Sequence, residues 1–155
     1  MVFCEATRLV PAPPERVWAV IADLARLKEW LPIQAEFSFP GGMQAASGTS
    51  IHVRRPSNFG LVELDQIIER CEPPACLSWR NANETLAGKP VQQIKDFNTI
   101  LTLALAAPEQ THITVRSEWT PVGVLGSIAT SLLKPRLQRE CGAALENIER
   151  LALLK

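Results

Sequence analysis

No tyrosine occurs among the 155 residues, and histidine occurs only twice. A tyrosine acid is thereby excluded from any chemistry here. His52 and His112 sit apart in strand-like sequence, as ordinary strand residues do. Charge of one sign is also missing, since 16 basic residues balance 16 acidic ones. No bulk field draws this chain toward a phosphate backbone or an anionic membrane. Lys and Arg are nowhere interleaved with aromatics, so nucleic acid is not an expected partner. Long apolar runs are absent, and none approaches the roughly 18 residues of a membrane span. MVFCEATRLV, at the start, holds neither a basic leader nor an apolar core. A soluble, cytoplasmic protein is expected.

Several enzyme signatures are lacking as well. There is no G-x-S-x-G nucleophile turn and no Gly-rich phosphate loop. No paired carboxylates stand out in an apolar setting. The four cysteines, Cys4, Cys71, Cys76 and Cys141, match no zinc spacing. Cys71 and Cys76 flank the turn-like EPPA and could face each other across it. Reduced thiols are the expectation; a disulfide or a metal pair is the alternative. No catalytic residue, metal or cofactor is assigned.

What is present is a core. Apolar residues make up 46% of the chain, and a chain of this size buries about 70% of its unfolded surface. No repeat, low-complexity segment or linker divides it, so residues 1–155 read as one domain. Residues 2–10 read as a strand. PAPPERVWAVIADLARLKEWLP follows. Pro14 suits a first helical position, where its missing N–H costs nothing, and Val17, Trp18, Ile21 and Leu24 share a helical face. Asp23 can cap a second short helix carrying Leu27 and Trp30, which Pro32 ends.

After that the period is two. Strands are expected at 33–39, 49–55, 61–71, 76–80, 91–106 and 111–119, with polar loops at 56–60 and 81–90. Alternation such as Ile113, Val115 and Trp119 against His112, Thr114 and Arg116 means an antiparallel sheet with one covered face. From about residue 124 the pattern is helical, with Leu125, Ile128, Leu132, Leu137, Cys141, Leu145, Ile148 and Leu151 three or four apart. Pro135 falls inside this helix and should bend it. A sheet with one apolar face needs a cover, and the terminal helix is the only element long enough. The short helices then plug one end.

Three stretches carry a resemblance: LVPAPPERVWAVIADLARLKEWLP, ERCEPPACLSWR and VGVLGSIATSLLKPRLQRE. They resemble the START-like, or Bet v 1-like, superfamily, and within it the bacterial polyketide cyclase/dehydrase and lipid-transport branch. That resemblance implies an α+β helix-grip fold: a seven-stranded curved antiparallel sheet around a long C-terminal helix, with two short helices between strands 1 and 2. It also implies an apolar cavity between sheet and helix. Members bind lipids, steroids, hormones or polyketides; some catalyse cyclisation or dehydration, and others serve protein partners. Fold alone does not choose among these.

Strand phase offers Leu64, Trp79, Phe97, Leu101 and Trp119 for the cavity wall. The helix adds Leu125, Ile128 and Leu132, and the short helices add Trp30. Any of these could instead fill a dense core. Phe59, in the PSNFG loop, is either a gate at the mouth or an anchor against the sheet. Gln66 and Ser117 are the candidate polar anchors, with Arg8 behind them. Three functions follow: a carrier of a small hydrophobic molecule, a polyketide cyclase or dehydratase acting by substrate shaping, or a protein-partner factor. Leu132→Asp is expected to unfold the domain or abolish ligand uptake, because it buries a charge on the covering helix.

Overall fold

A computed structural model describes residues 1–154. The chain begins with β1 (Val2–Val10), followed by α1 (Pro14–Ile21), a 3-10 turn (Leu24–Arg26) and α2 (Leu27–Trp30). The strands β2 (Glu36–Ser38), β3 (Ser50–Ser57), β4 (Gly60–Glu72), β5 (Cys76–Leu86), β6 (Lys89–Pro90), β7 (Ile94–Ala107) and β8 (Gln110–Pro121) come next. The helix α3 (Gly123–Leu153) ends the fold. All strand pairs are antiparallel, in the order β1-β8-β7-β5-β4-β3-β2, with β6 attached to β5.

The local chemistry accounts for these pieces. Pro14 opens α1 with Glu15 in its first turn, and the Asp23 carboxylate accepts a bond from the Ala25 amide at 3.2 Å, as an N-cap does. Register shifts in β4 and β7 insert bulges, for example between Lys95 and Asn98, where Asp96 takes φ 55°. Bulges bend strands and increase their twist. The sheet therefore curls instead of lying flat.

Two boundaries differ from expectation. The sheet has eight strands, not seven. β5 runs on to Leu86 and turns through Ala87 and Gly88, both at positive φ, into the two-residue β6. β5 continues as a ladder against β4 as far as Leu86, and Thr85 and Leu86 also pair with β6, so this stretch is strand and not loop. β2 is shorter than 33–39 and keeps only its central residues. All four cysteines are free thiols, and Cys71 lies opposite Leu77, not Cys76.

The core joins the concave sheet face to the plug and to α3. Val10, Ile51, Ile68, Leu77, Leu101 and Ile113 meet Val17, Ile21, Leu24 and Leu27, and then Leu145, Ile148 and Leu151. Each such side chain contributes about 1.5–3 kcal/mol through burial. On the convex face, His52 pairs with Asp65 at 2.9 Å and Arg116 with Glu118 at 3.1 Å. Exposed pairs of this kind add little to stability, because water and salt screen them.

The long helix is gripped over its second half only. Leu125, Ile128 and Leu132 are 65%, 54% and 76% exposed, which corrects their expected place under the sheet. The N-terminal half of α3 carries two adjacent apolar stripes about one residue apart in rotation. Ala129, Leu133 and Leu137 turn toward the sheet, and of the other stripe Leu125 and Ile128 point outward while the largely exposed Leu132 only edges the same space. Spacing alone does not say which of two neighbouring stripes is covered. Gly126 is a close-approach point: a Cβ there would meet the Gln93 carbonyl oxygen at 2.4 Å. This position lets α3 start hard against the β6–β7 connection. Pro135 sits within the continuous helix, and the thiol of Cys4 donates to the Lys134 carbonyl beside it at 3.4 Å.

Candidate functional site

Gripping α3 only over its second half leaves space under its middle. A pocket of about 440 Å³ lies between that stretch and the curved sheet. Val53, Val62 and Leu64 come from β3 and β4, Trp79 and Leu86 from β5, and Phe97 and Val115 from β7 and β8. Leu133, Leu137 and Ala144 close it from the helix, and Trp30 with Leu31 ends it at the plug. Pockets of roughly 300–1,000 Å³ with apolar walls and a few polar groups are the usual form of small-molecule sites.

The residues singled out from sequence divide. Trp30, Leu64, Gln66, Trp79, Phe97 and Ser117 all line this pocket. Leu132 and Phe59 also reach it, from the rim. Phe59 is 82% exposed at the tip of the β3–β4 turn, so it is not an anchor tucked against the sheet. Leu101 and Trp119 lie in the packed core beside the pocket, not on its wall. Trp119 stacks behind Phe97 at 5.7 Å and donates through Nε1 to Thr130 Oγ1 at 3.1 Å. Leu125 and Ile128 are outside, as described. Arg8 is on the surface, paired with Glu149 and Glu146 of α3.

A polar row crosses the otherwise apolar floor. Gln66 and Asn81 face each other across β4 and β5. Thr99 and Ser117 face each other across β7 and β8, with their hydroxyls 3.2 Å apart. Among the described residues, three buried side-chain polar atoms have no hydrogen-bond partner within the protein: Trp30 Nε1, Gln66 Oε1 and Asn81 Oδ1. All three residues line the pocket. Cys141 also reaches it, but burial pushes its thiol up to about 11, so it is not a ready nucleophile.

Four charged side chains share the same cavity: Arg55, Glu84, Arg136 and Glu140. Arg136 Nε lies 3.4 Å from Glu140 Oε1. Burial raises the Glu84 carboxyl above its ordinary value, with Arg55 opposing. Burial likewise raises Glu140, against Arg136, Arg55 and Arg139. Arg55 is lowered by burial and then by Arg136, while Glu84 and Glu140 pull it back up. Two carboxyls that hold protons longer than usual, beside two guanidiniums, can exchange protons with a bound molecule.

This quartet went unread in the sequence. Glu84 fell in a supposed loop, and Glu140 in a helix judged by its apolar positions. A signal did exist for Arg55, because it shares the inward phase of Ile51 and Val53. Both carboxyls should titrate above the usual ~4.3, and Arg55→Leu should raise both further by removing a cation each one faces. The folded state then binds more protons than the unfolded one. These two groups therefore lower stability as pH rises from ~4.3 through their raised values. Side-chain carboxyl titration by NMR checks this; ordinary values, or no rise in Arg55→Leu, would refute it.

A curved antiparallel sheet gripping a terminal helix, plugged by two short helices and hollow beneath, defines a START-like helix-grip protein. The chain belongs to the polyketide cyclase / dehydrase and lipid transport family, whose family model matches residues 1–152. Among solved structures it is similar to the Zhui aromatase/cyclase from Streptomyces sp. R1128, with 16% identity, 97% of this chain and 93% of that chain covered, and a TM-score of 0.75. TTHA0849 from Thermus thermophilus is similar too, with 18% identity, 98% and 97% covered, and a TM-score of 0.72. Likeness at these identities establishes the fold. No curated protein matches the chain by sequence. Among the described residues no three His, Cys, Asp or Glu side chains gather as a metal site. No helix is long and apolar enough to cross a membrane.

Proposed function

We propose that the chain binds a small amphiphilic molecule, its apolar body between sheet and helix and its polar groups toward Arg55, Glu84, Arg136 and Glu140. The single observation behind this is the pocket of about 440 Å³, apolar in most of its lining. Trp30, Leu64, Trp79 and Phe97 would form the wall, Gln66 and Ser117 would be polar contacts on the floor, and Phe59 with Leu132 would flank the entrance. A site filled by a side chain should lose its guest. Ala129→Trp places a ring at the helix side of the pocket and should weaken binding of a naphthalene probe more than tenfold. Melting should barely change, because Ala129 is only half-buried. Unchanged affinity in a folded Ala129→Trp protein would remove the pocket from the function.

A second reading, cyclisation or dehydration of a polyketide-like substrate, draws on the two raised carboxyls. A dehydration needs a proton delivered to the leaving hydroxyl, and Glu84 and Glu140 are the cavity acids available for it. Such turnover would fall as pH rises through their raised values, and Glu84→Gln with Glu140→Gln would abolish it even when the substrate is saturating.

A further inference from the structure

The charged quartet does not account for the part of the cavity near Trp30, where a donor and two acceptors stand unpartnered. We propose that Trp30, Gln66 and Asn81 form a subsite for a ligand hydroxyl, and that the ligand class is hydroxylated ring compounds. This rests on the binding reading above and adds to it the group that is recognised.

The geometry gathers the three around one tryptophan. Gln66 and Asn81 are cross-strand partners, so their Cβ atoms stand about 4.5–5.5 Å apart. Trp79 lies two residues before Asn81 on the same face, and its ring meets that of Trp30 with centroids 6.3 Å apart and planes tilted by 56°. Trp30 is 1% exposed, so bulk water does not serve its indole N–H. Buried polar groups are nearly always paired in folded proteins, and three orphans in one pocket mark a place for an outside partner.

The chemistry of the orphans narrows that partner. Trp30 Nε1–H can only donate, and the amide oxygens of Gln66 and Asn81 can only accept. A hydroxyl is the smallest group that does both, accepting from the indole and donating to an amide oxygen. A ketone or an ether could satisfy Trp30 but would offer no proton to the two amide oxygens in the orientation they hold here. An ionised carboxylate would face them with like polarity. The two indoles and the Phe97 ring supply flat apolar surface, which suits a ring carrying that hydroxyl.

The test compares 2-naphthol, 2-fluoronaphthalene and naphthalene by isothermal titration calorimetry. The fluoro compound is of similar size but has no proton to donate. The intact protein should bind 2-naphthol about tenfold more tightly than 2-fluoronaphthalene, the usual scale for one satisfied buried hydrogen bond. Gln66→Met and Asn81→Leu should each shrink that preference toward unity, read as the ratio of 2-naphthol to 2-fluoronaphthalene affinity within each variant. Trp30→Phe keeps a ring and removes the N–H, and should lower 2-naphthol affinity by a larger factor than naphthalene affinity. If Trp30→Phe fails to fold, the two amide variants decide. Equal affinities in the intact protein, or a preference that survives in both amide variants, overturn the hydroxyl subsite while the binding reading stands. Failure of all three probes to bind overturns the binding reading itself, and the subsite with it.

Discussion

Ile148→Asp is expected to abolish the folded state, whereas Leu132→Asp leaves it intact. Both replace an aliphatic residue on α3 with a carboxylate, and the two sites lie on one helix. Ile148 is 0% exposed and belongs to the cluster that joins α3 to the sheet and to the short helices. Losing a buried Ile costs about 2–5 kcal/mol before any charge is considered. A carboxyl there finds no partner among its apolar neighbours, and it folds only by taking up a proton at further cost. The combined loss rivals the whole stability of a typical domain, about 5–15 kcal/mol. Leu132, at 76% exposure, keeps its new carboxylate in water. Circular dichroism and urea denaturation read both outcomes. A folded Ile148→Asp protein, or an unfolded Leu132→Asp protein, would show that the gripped half of α3 has been misplaced.

That contrast also shows where the sequence was legible. Strand existence was plain wherever alternation was clean, as in Ile113, Val115 and Trp119, because period two leaves one assignment of faces. The short helices were readable from Pro14 and Asp23, whose side chains suit only a helix start. Rotation of a helix was not readable. Leu125, Ile128 and Leu132 repeat as regularly as Leu145, Ile148 and Leu151, yet only the second set meets other elements. What decides it is how far the sheet reaches along α3, and that is a property of the assembled fold.

The site divides in the same way. Wall residues such as Leu64, Trp79 and Phe97 follow from strand phase. Glu84 and Glu140 do not, because nothing local marks a carboxyl as half-buried. Their proximity to Arg55 arises from a hairpin and a helix closing over one space. Trp30, Gln66 and Asn81 lie between these cases. Trp30 and Gln66 were readable as inward-facing, whereas Asn81 fell in the supposed loop 81–90, and the absence of a partner for each polar atom is known only once its neighbours are in place.

Trp119→Ala should cost about 3–5 kcal/mol, the range for removing a large aromatic from a packed interior. In a chain of this length that lowers the melting temperature by roughly 6–20 °C, at ~2–4 °C per kcal/mol. Trp119 is fully buried. Its ring backs Phe97 in a stacked pair tilted by only 14°, and its N–H holds Thr130 near the start of α3. Removing it therefore acts twice: a void opens behind the cavity wall, and the ungripped half of the helix loses a tether. Phe97 can then tilt back into the void, so the pocket should widen and naphthalene affinity should fall although Trp119 itself touches no guest. Trp119→Phe separates the two effects. It keeps most of the stacking surface and releases only Thr130, which is half-exposed and can turn to water. Its cost should be about 1 kcal/mol, the net worth of one hydrogen bond, with affinity close to that of the unaltered protein. Equal melting temperatures for the Ala and Phe variants would mean that the ring does not support the wall, and that Phe97 is held by other contacts.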